Sequence, residues 1–242
     1  MPTDRFLEIG PGRGAITVPL AAQVAEILAV EVDRDLAGAL EARALPNVSV
    51  LTADVLEVDL AALVTQSLGA TPANKVRVAG NLPYNISSPI LFRLLDTSAT
   101  TGGLLDATLM LQKEVADRLV ARPSTSEYGV LTLTTALGAD VAALLELPPG
   151  AFRPAPKVRS TVVRLAFRPP PPEVHHPQLV VDIVRAMFTQ RRKMISNALS
   201  GFASARGLSS HEALATAGLD SRRRPETLEL ADVARLADVF AR

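Results

Sequence analysis

The sequence predicts an α/β protein: a mostly parallel, seven-stranded Rossmann-like sheet with its last strand antiparallel, followed by a small all-α C-terminal domain. Short apolar runs alternate with segments of helical periodicity between residues 6 and 167, the pattern of a parallel sheet covered on both faces. The first run opens onto Gly10-Pro11-Gly12-Arg13-Gly14, a turn whose glycines let backbone approach a ligand closely. A four-proline run, Pro169 to Pro172, then ends the alternation, and the remainder reads as helix.

Taken in order, a strand over Phe6–Ile9 leads into the glycine turn, and Ile16 to Leu28 has helical spacing. Pro19 falls near the start of that helix, where a missing N–H is harmless. A second strand over Ile27–Val30 ends in Glu31, about where a nucleotide-binding fold places an acid for ribose hydroxyls. A third over Val48–Leu51 ends in Ala53-Asp54, and a fourth over Val76–Gly80 runs into Asn81. Glu31 or Asp54 alone reads as a loop acid or a helix cap rather than a ligand contact. Gly10, Glu31, Asp54 and Asn81 nevertheless fall at successive strand ends, where open α/β sheets bind ligands. The Gly-x-Gly-x-Gly spacing departs from the Gly-x-Gly-x-x-Gly of NAD sites.

Further on, the pattern gives a helix over Ser88–Asp96, a strand over Ala107–Leu111 and a helix over Glu114–Ala121. A polar loop, Arg122 to Gly129, precedes an apolar helix over Val130–Leu137 and strands over Ala143–Leu147 and Ser160–Phe167. The last strand follows its predecessor through a proline-rich connection rather than a helix, so it is expected to be antiparallel. These boundaries divide the chain into a sheet domain over 1–168, a stiff linker over 169–176 and a helical domain over 177–242. Helices are expected over Pro177–Thr189, Arg192–Arg206, Ser209–Ala217 and Leu230–Phe240, with Ser209 as N-cap, Glu212 as its capping-box partner and Gly218 as a stop.

Asn81-Leu82-Pro83-Tyr84 is the stretch that carries chemistry. The exocyclic amine of adenine is a poor nucleophile because its lone pair is delocalised into the ring. Two acceptors aimed at the amine localise that pair. The Asn81 side-chain oxygen and the Leu82 carbonyl can both face it, because Pro83 fixes the local backbone. Tyr84 then offers a ring for stacking. The bland reading, a polar turn closing a buried strand, uses the same residue types.

Together with that turn, Glu8-Ile9-Gly10-Pro11-Gly12, Glu31-Val32-Asp33, Ala53-Asp54, Asn85-Ile86-Ser87-Ser88-Pro89 and Leu111-Gln112-Lys113-Glu114 form an ordered series. Phe152-Arg153-Pro154-Ala155-Pro156-Lys157-Val158-Arg159-Ser160 and Gln190-Arg191-Arg192-Lys193 complete it. This series resembles the KsgA/RsmA-type small-subunit (16S) rRNA adenine N6-dimethyltransferases over nearly the whole chain. The resemblance implies a class I methyltransferase sheet, S-adenosylmethionine as methyl donor, no metal, and two methyls placed on each of two adjacent adenines in the 3′-terminal hairpin. It also implies a role in small-subunit biogenesis. Carried over by motif, Gly10 and Gly12 lie by the methionine part, Glu31 on the ribose, Asp54 on the adenine of the cofactor and Asn81 near the reacting centre. Leu82 acts through its carbonyl, and Phe152 opposes Tyr84 across the target base. Related enzymes carry a few dozen residues before the first strand, including a Gln-x-Phe-Leu-type lid. Here Met1 to Arg5 precede it, so a more open methionine end is expected.

Composition bounds the rest. At 242 residues and 48% hydrophobic, the chain can bury a substantial core. Lacking cysteine, it has no disulfides or thiolate sites, and His175, His176 and His211 make no ligand spacing. No apolar run reaches spanning length, so a cytoplasmic monomer with no membrane partner is expected. The formal net charge is zero, but cations cluster as Arg153, Lys157, Arg159, Arg164, then Arg185, Arg191, Arg192, Lys193, then Arg222, Arg223, Arg224. Any one cluster is ordinary solvated charge. Their recurrence marks Arg153, Lys157, Arg191, Arg192, Lys193, Arg222 and Arg223 as candidate contacts to the rRNA of the small ribosomal subunit. Two rivals stay open: a methyltransferase acting on large-subunit rRNA, and a non-catalytic ribosome-assembly or RNA-binding factor that keeps the fold.

Overall fold

The computed structural model describes residues 1–152 and 157–242. They form two compact units, Met1–Ala116 with Ala139–Arg168, and Asp117–Gly138 with Pro169–Arg242.

The first unit is a seven-stranded sheet in the order β3-β2-β1-β4-β5-β7-β6. β1 (Arg5–Ile9) pairs in parallel with β2 (Glu26–Glu31) and β4 (Val76–Asn81). As a central strand it is covered on both faces, and Leu7, Glu8 and Ile9 are all buried. The helix after the glycine turn, α1 (Thr17–Ala21), is much shorter than its apolar spacing predicts. Ile27 and Leu28 continue that spacing but belong to β2, where pairing with Phe6 and Leu7 buries them. α2 (Arg34–Glu41) starts at Asp33, whose carboxylate accepts from the N–H groups of Asp35 and Leu36. β3 (Val48–Thr52) forms one edge, and α3 (Leu60–Ala62) widens into a π-turn before β4. α4 (Ser87–Thr101) ends at Gly102, which supplies the left-handed φ of +61°. β5 (Leu104–Gln112) completes the parallel set and leads into α5 (Lys113–Leu119).

β6 (Ala139–Leu147) and β7 (Ser160–Phe167) close the sheet, with β7 inserted between β5 and β6 and antiparallel to both. The expected hand of the last strand is therefore found. Asp106 of β5 is 2% exposed and accepts Arg77 of β4 at 2.6 and 2.9 Å and Arg164 of β7 at 2.8 Å, tying three strands together.

The second unit corrects the predicted domain boundary. Tyr128, and Leu133 and Leu137 of α6 (Val130–Gly138), share a core with Val180, Ile183, Val184 and Met187 of α7 (Pro177–Phe188). Residues 117–138 thus belong with the helices, because that is where their apolar side chains are buried. The buried Tyr128 hydroxyl donates to the Leu228 carbonyl at 2.7 Å, and burial, then the charges of Glu229 and Asp232, pushes its pKa up to about 12. The predicted linker is also anchored, since Val174 is buried in the same core.

Two further expectations are corrected here. The helix predicted over Arg192–Arg206 is two short ones, α8 (Ile195–Ala198) and α9 (Ser200–Ser204), and Arg192 lies in the preceding turn. Ser209 does precede α10 (Ser210–Thr216) in an extended conformation, but its side chain makes no capping bond. Reciprocal capping instead marks α11 (Leu230–Phe240), where the Asp232 carboxylate accepts from the Glu229 N–H at 3.1 Å. Gly218, at φ +70°, stops α10 as expected.

Candidate active site

Register brings the predicted residues to one end of the sheet. Glu8 lies between Ala29 and Ala79, and Glu31 and Asn81 sit two residues further along those strands. Side chains two apart share a face, so Glu31 and Asn81 project on the side of Glu8 from the C-terminal ends of β2 and β4. The glycine turn bends over this edge with φ values of +67°, +55° and +78° at Gly10, Gly12 and Gly14. A Cβ on Gly10 would lie 3.7 Å from the Asn81 carbonyl oxygen, whereas one on Gly12 would meet nothing within 4 Å. Gly12 thus leaves open backbone facing the site.

The Glu31 carboxylate, 6% exposed, accepts from the Gly12 N–H at 2.9 Å and the Asp33 N–H at 3.0 Å. It therefore holds the glycine turn against the end of β2, while each oxygen keeps lone-pair capacity for a further donor. Asp54, just beyond β3, accepts the Leu56 N–H at 2.8 Å through Oδ1 and leaves Oδ2 without a bond among the described residues.

Asn81 is exposed, and neither its side chain nor the Leu82 carbonyl has a hydrogen-bond partner among the described residues. The Leu82 side chain is 1% exposed and anchors the turn from below. The Ile86 N–H closes a turn onto the Pro83 carbonyl at 3.2 Å, and Ser87 Oγ donates to the Tyr84 carbonyl at 3.2 Å. The half-buried Tyr84 reaches Ser160 Oγ with its hydroxyl at 3.0 Å. Ser160 opens β7 opposite Gln112 of β5 and Leu147 of β6. The β6–β7 connection therefore leaves from the edge where Tyr84 is tethered, and that connection carries the half-buried Phe152.

Three residues of this edge escaped the sequence reading. Gly80 is required by space: a Cβ there would sit 2.8 Å from the Ile9 carbonyl oxygen. Ser160 is wholly buried yet polar. Glu8, 1% exposed, faces Thr17; among the described residues neither Glu8 Oε2 nor the Thr17 hydroxyl completes a hydrogen bond. Burial pushes the Glu8 carboxyl above the ordinary range, and the nearby hydroxyl offsets part of that. Glu8 and Ser160 fall within the quoted motif strings as polar residues of apolar strands, and Gly80 carries no signal of its own.

The basic candidates separate into committed and free. Arg164 is taken by Asp106, and Arg159 by Glu146 at 2.5 Å. Arg223 pairs with Asp232 at 3.0 Å and also reaches Thr227, so it braces the approach to α11, and Arg222 pairs with Asp220 at 3.1 Å. Arg191 donates to the carbonyls of Ser126 and Thr125 at 2.5 and 2.8 Å, which fixes the polar loop. Lys157, Arg192 and Lys193 are exposed and form no ion pair among the described residues. Arg153 lies outside the described residues. Among the described residues no cluster of three or more His, Asp or Glu could hold a metal, and no helix is long and apolar enough to cross a membrane.

Comparison with known proteins gives the family. Residues 1–241 match the family model for ribosomal RNA adenine dimethylase. A "Ribosomal RNA small subunit methyltransferase A" of Methylibium petroleiphilum is 42% identical over 236 residues, covering 98% of this chain and 85% of the relative. Its namesake in Xanthomonas oryzae pv. oryzae is 45% identical over 239 residues, with the same coverage. Among solved structures, a dimethyladenosine transferase from Plasmodium falciparum superposes with a TM-score of 0.78 at 22% identity, covering 97% of this chain and 89% of that one. The 23S rRNA methyltransferase ErmE superposes with a TM-score of 0.67 at 25% identity, covering 100% and 92%. With its glycine turn, strand-end acids and Asn81–Tyr84 turn on a matching fold, the chain belongs to the ribosomal RNA adenine dimethylase family.

Proposed function

We propose that this protein transfers methyl groups from S-adenosylmethionine to N6 of two adjacent adenines in the 3′-terminal hairpin of small-subunit rRNA, two to each. The observation that carries this reading is the turn after β4, beside the glycine turn, where neither the Asn81 amide nor the Leu82 carbonyl has a hydrogen-bond partner among the described residues. The donor, when bound, supplies an electrophilic methyl on a sulfonium.

The residues suit that group. Gly10 and Gly12 expose backbone at the methionine end, Glu31 retains acceptor capacity for ribose hydroxyls, and Asp54 Oδ2 is available to an adenine amine. In the target base, Asn81 Oδ1 and the Leu82 carbonyl accept the two N6 hydrogens, which concentrates the lone pair on nitrogen and aims it at the donor. Pro83 fixes the backbone just after them. Tyr84 and Phe152 stack on the base, each such contact being worth about 1–3 kcal/mol, which offsets the cost of unstacking it.

Lys157, Arg192 and Lys193 are the residues best disposed to meet rRNA phosphates, with Arg222 at the margin and Arg191 and Arg223 shaping the surface. A cytoplasmic monomer acting on the small ribosomal subunit is part of the same proposal. The small-subunit target is favoured over the large by the names of the relatives at 42% and 45% identity, against 25% for the 23S rRNA enzyme. Transfer of labelled methyl to isolated, undermethylated subunits tests the choice. Label in small subunits alone is expected; label confined to large subunits would overturn it.

A further inference from the structure

We propose that Ser160 is a positioning residue for the target base: by holding the Tyr84 hydroxyl from within the sheet, it fixes the position of the stacking ring and governs transfer of the second methyl. This rests on the reading of Tyr84 as the stacking platform.

Ser160 is 0% exposed and is the first residue of β7, so its backbone is held by Gln112 on one side and Leu147 on the other. The contact between Tyr84 Oη and Ser160 Oγ, at 3.0 Å, joins residues 76 positions apart, and no other hydrogen bond to Ser160 Oγ forms among the described residues. Tyr84 is fixed at its other end as well, since Ser87, itself 1% exposed, donates to its carbonyl at 3.2 Å. The tyrosine hydroxyl lies on the axis of the second torsion, so a bond at this tip restricts the first torsion and with it the position of the ring. The ring is therefore held in place from the sheet as well as from the turn that carries it.

The consequence differs between the two transfers. In each, the N6 lone pair forms the new C–N bond as the C–S bond breaks, the sulfur keeps that electron pair as the thioether of S-adenosylhomocysteine, and N6 then loses a proton to solvent. Unmodified adenine has two N–H donors for Asn81 Oδ1 and the Leu82 carbonyl. After the first transfer one donor remains, so one of the two anchoring bonds is gone. Orientation of the monomethylated base then depends more heavily on stacking, and a loosened ring penalises the second transfer more than the first.

Ser160→Ala and Tyr84→Phe remove the same bond from opposite ends and leave the ring in place. Each variant and the double variant are assayed on undermethylated small subunits, and N6-methyl- and N6,N6-dimethyladenosine are quantified by mass spectrometry at equal total methyl incorporation. Loss of folded enzyme slows the reaction without moving that ratio. The ratio of mono- to dimethyl product is expected to rise about fivefold, the equivalent of one neutral hydrogen bond near 1 kcal/mol, by the same amount in all three variants. An unchanged ratio in Ser160→Ala, or effects that add in the double variant, would overturn the proposal. Wild-type protein that modifies no adenine would instead overturn the reading on which it rests.

Discussion

Burial holds the Glu8 carboxyl above the ordinary carboxylate range, with one oxygen that has no hydrogen-bond partner among the described residues. A raised native pKa means that the folded chain keeps a proton the unfolded chain has released, so this contribution is complete at acid pH and is lost as pH rises through the native value. Glu8→Gln should therefore raise Tm at neutral pH, with a gain that shrinks toward acid. The shift is about 2–4 °C for each kcal/mol relieved, and thermal scans across pH check both its sign and its slope. Asn81 makes the complementary case, an exposed polar group whose side chain has no hydrogen-bond partner among the described residues. Asn81→Ala should lower methyl transfer about 10²- to 10³-fold, the scale of losing one preorganised partner, while calorimetry finds cofactor binding changed little. Normal transfer by that variant would remove the residue from the chemistry.

At the scale of elements, the strand ends were legible because apolar runs terminate where the sheet terminates. Glu31, Asp54 and Asn81 are placed at strand ends that way, and structure adds the bonds that Glu31 and Asp54 make. Helix limits were harder to read. Ile27 and Leu28 match the helical spacing of α1 as well as they match β2, and only pairing with β1 decides between the two. The approach of β1 and β4 behind the site was invisible for a different reason, since glycine in a strand names no partner. Gly80→Ala would push a methyl to 2.8 Å from the Ile9 carbonyl oxygen, part of a backbone held by two neighbouring strands. Overpacking of this kind costs about 1–3 kcal/mol, to be read as a lower urea midpoint, and activity should fall with it because Asn81 is the next residue.

Over the whole molecule, a neutral formal charge conceals an uneven assignment of cations. Which arginines are free could not be read from the chain, because the acids that take them are distant in sequence: Asp106 for Arg164, Glu146 for Arg159 and Asp232 for Arg223. The division into units was misread likewise, since residues 117–138 precede β6 in sequence but bury their apolar side chains among the later helices. For binding to small subunits, replacing Arg192 and Lys193 together should reduce the slope of log K against log salt by about 1–2. Arg223→Ala should lower stability in denaturant and leave that slope nearly unchanged.

Nucleoside analysis of undermethylated small subunits after incubation with this protein and S-adenosylmethionine, alongside the Asn81→Ala variant, tests the central claim most directly. The account predicts N6,N6-dimethyladenosine at two adjacent positions near the rRNA 3′ end with the wild type, and little or none with the variant. Methyl groups at a base other than adenine, or equal product from both proteins, would contradict it.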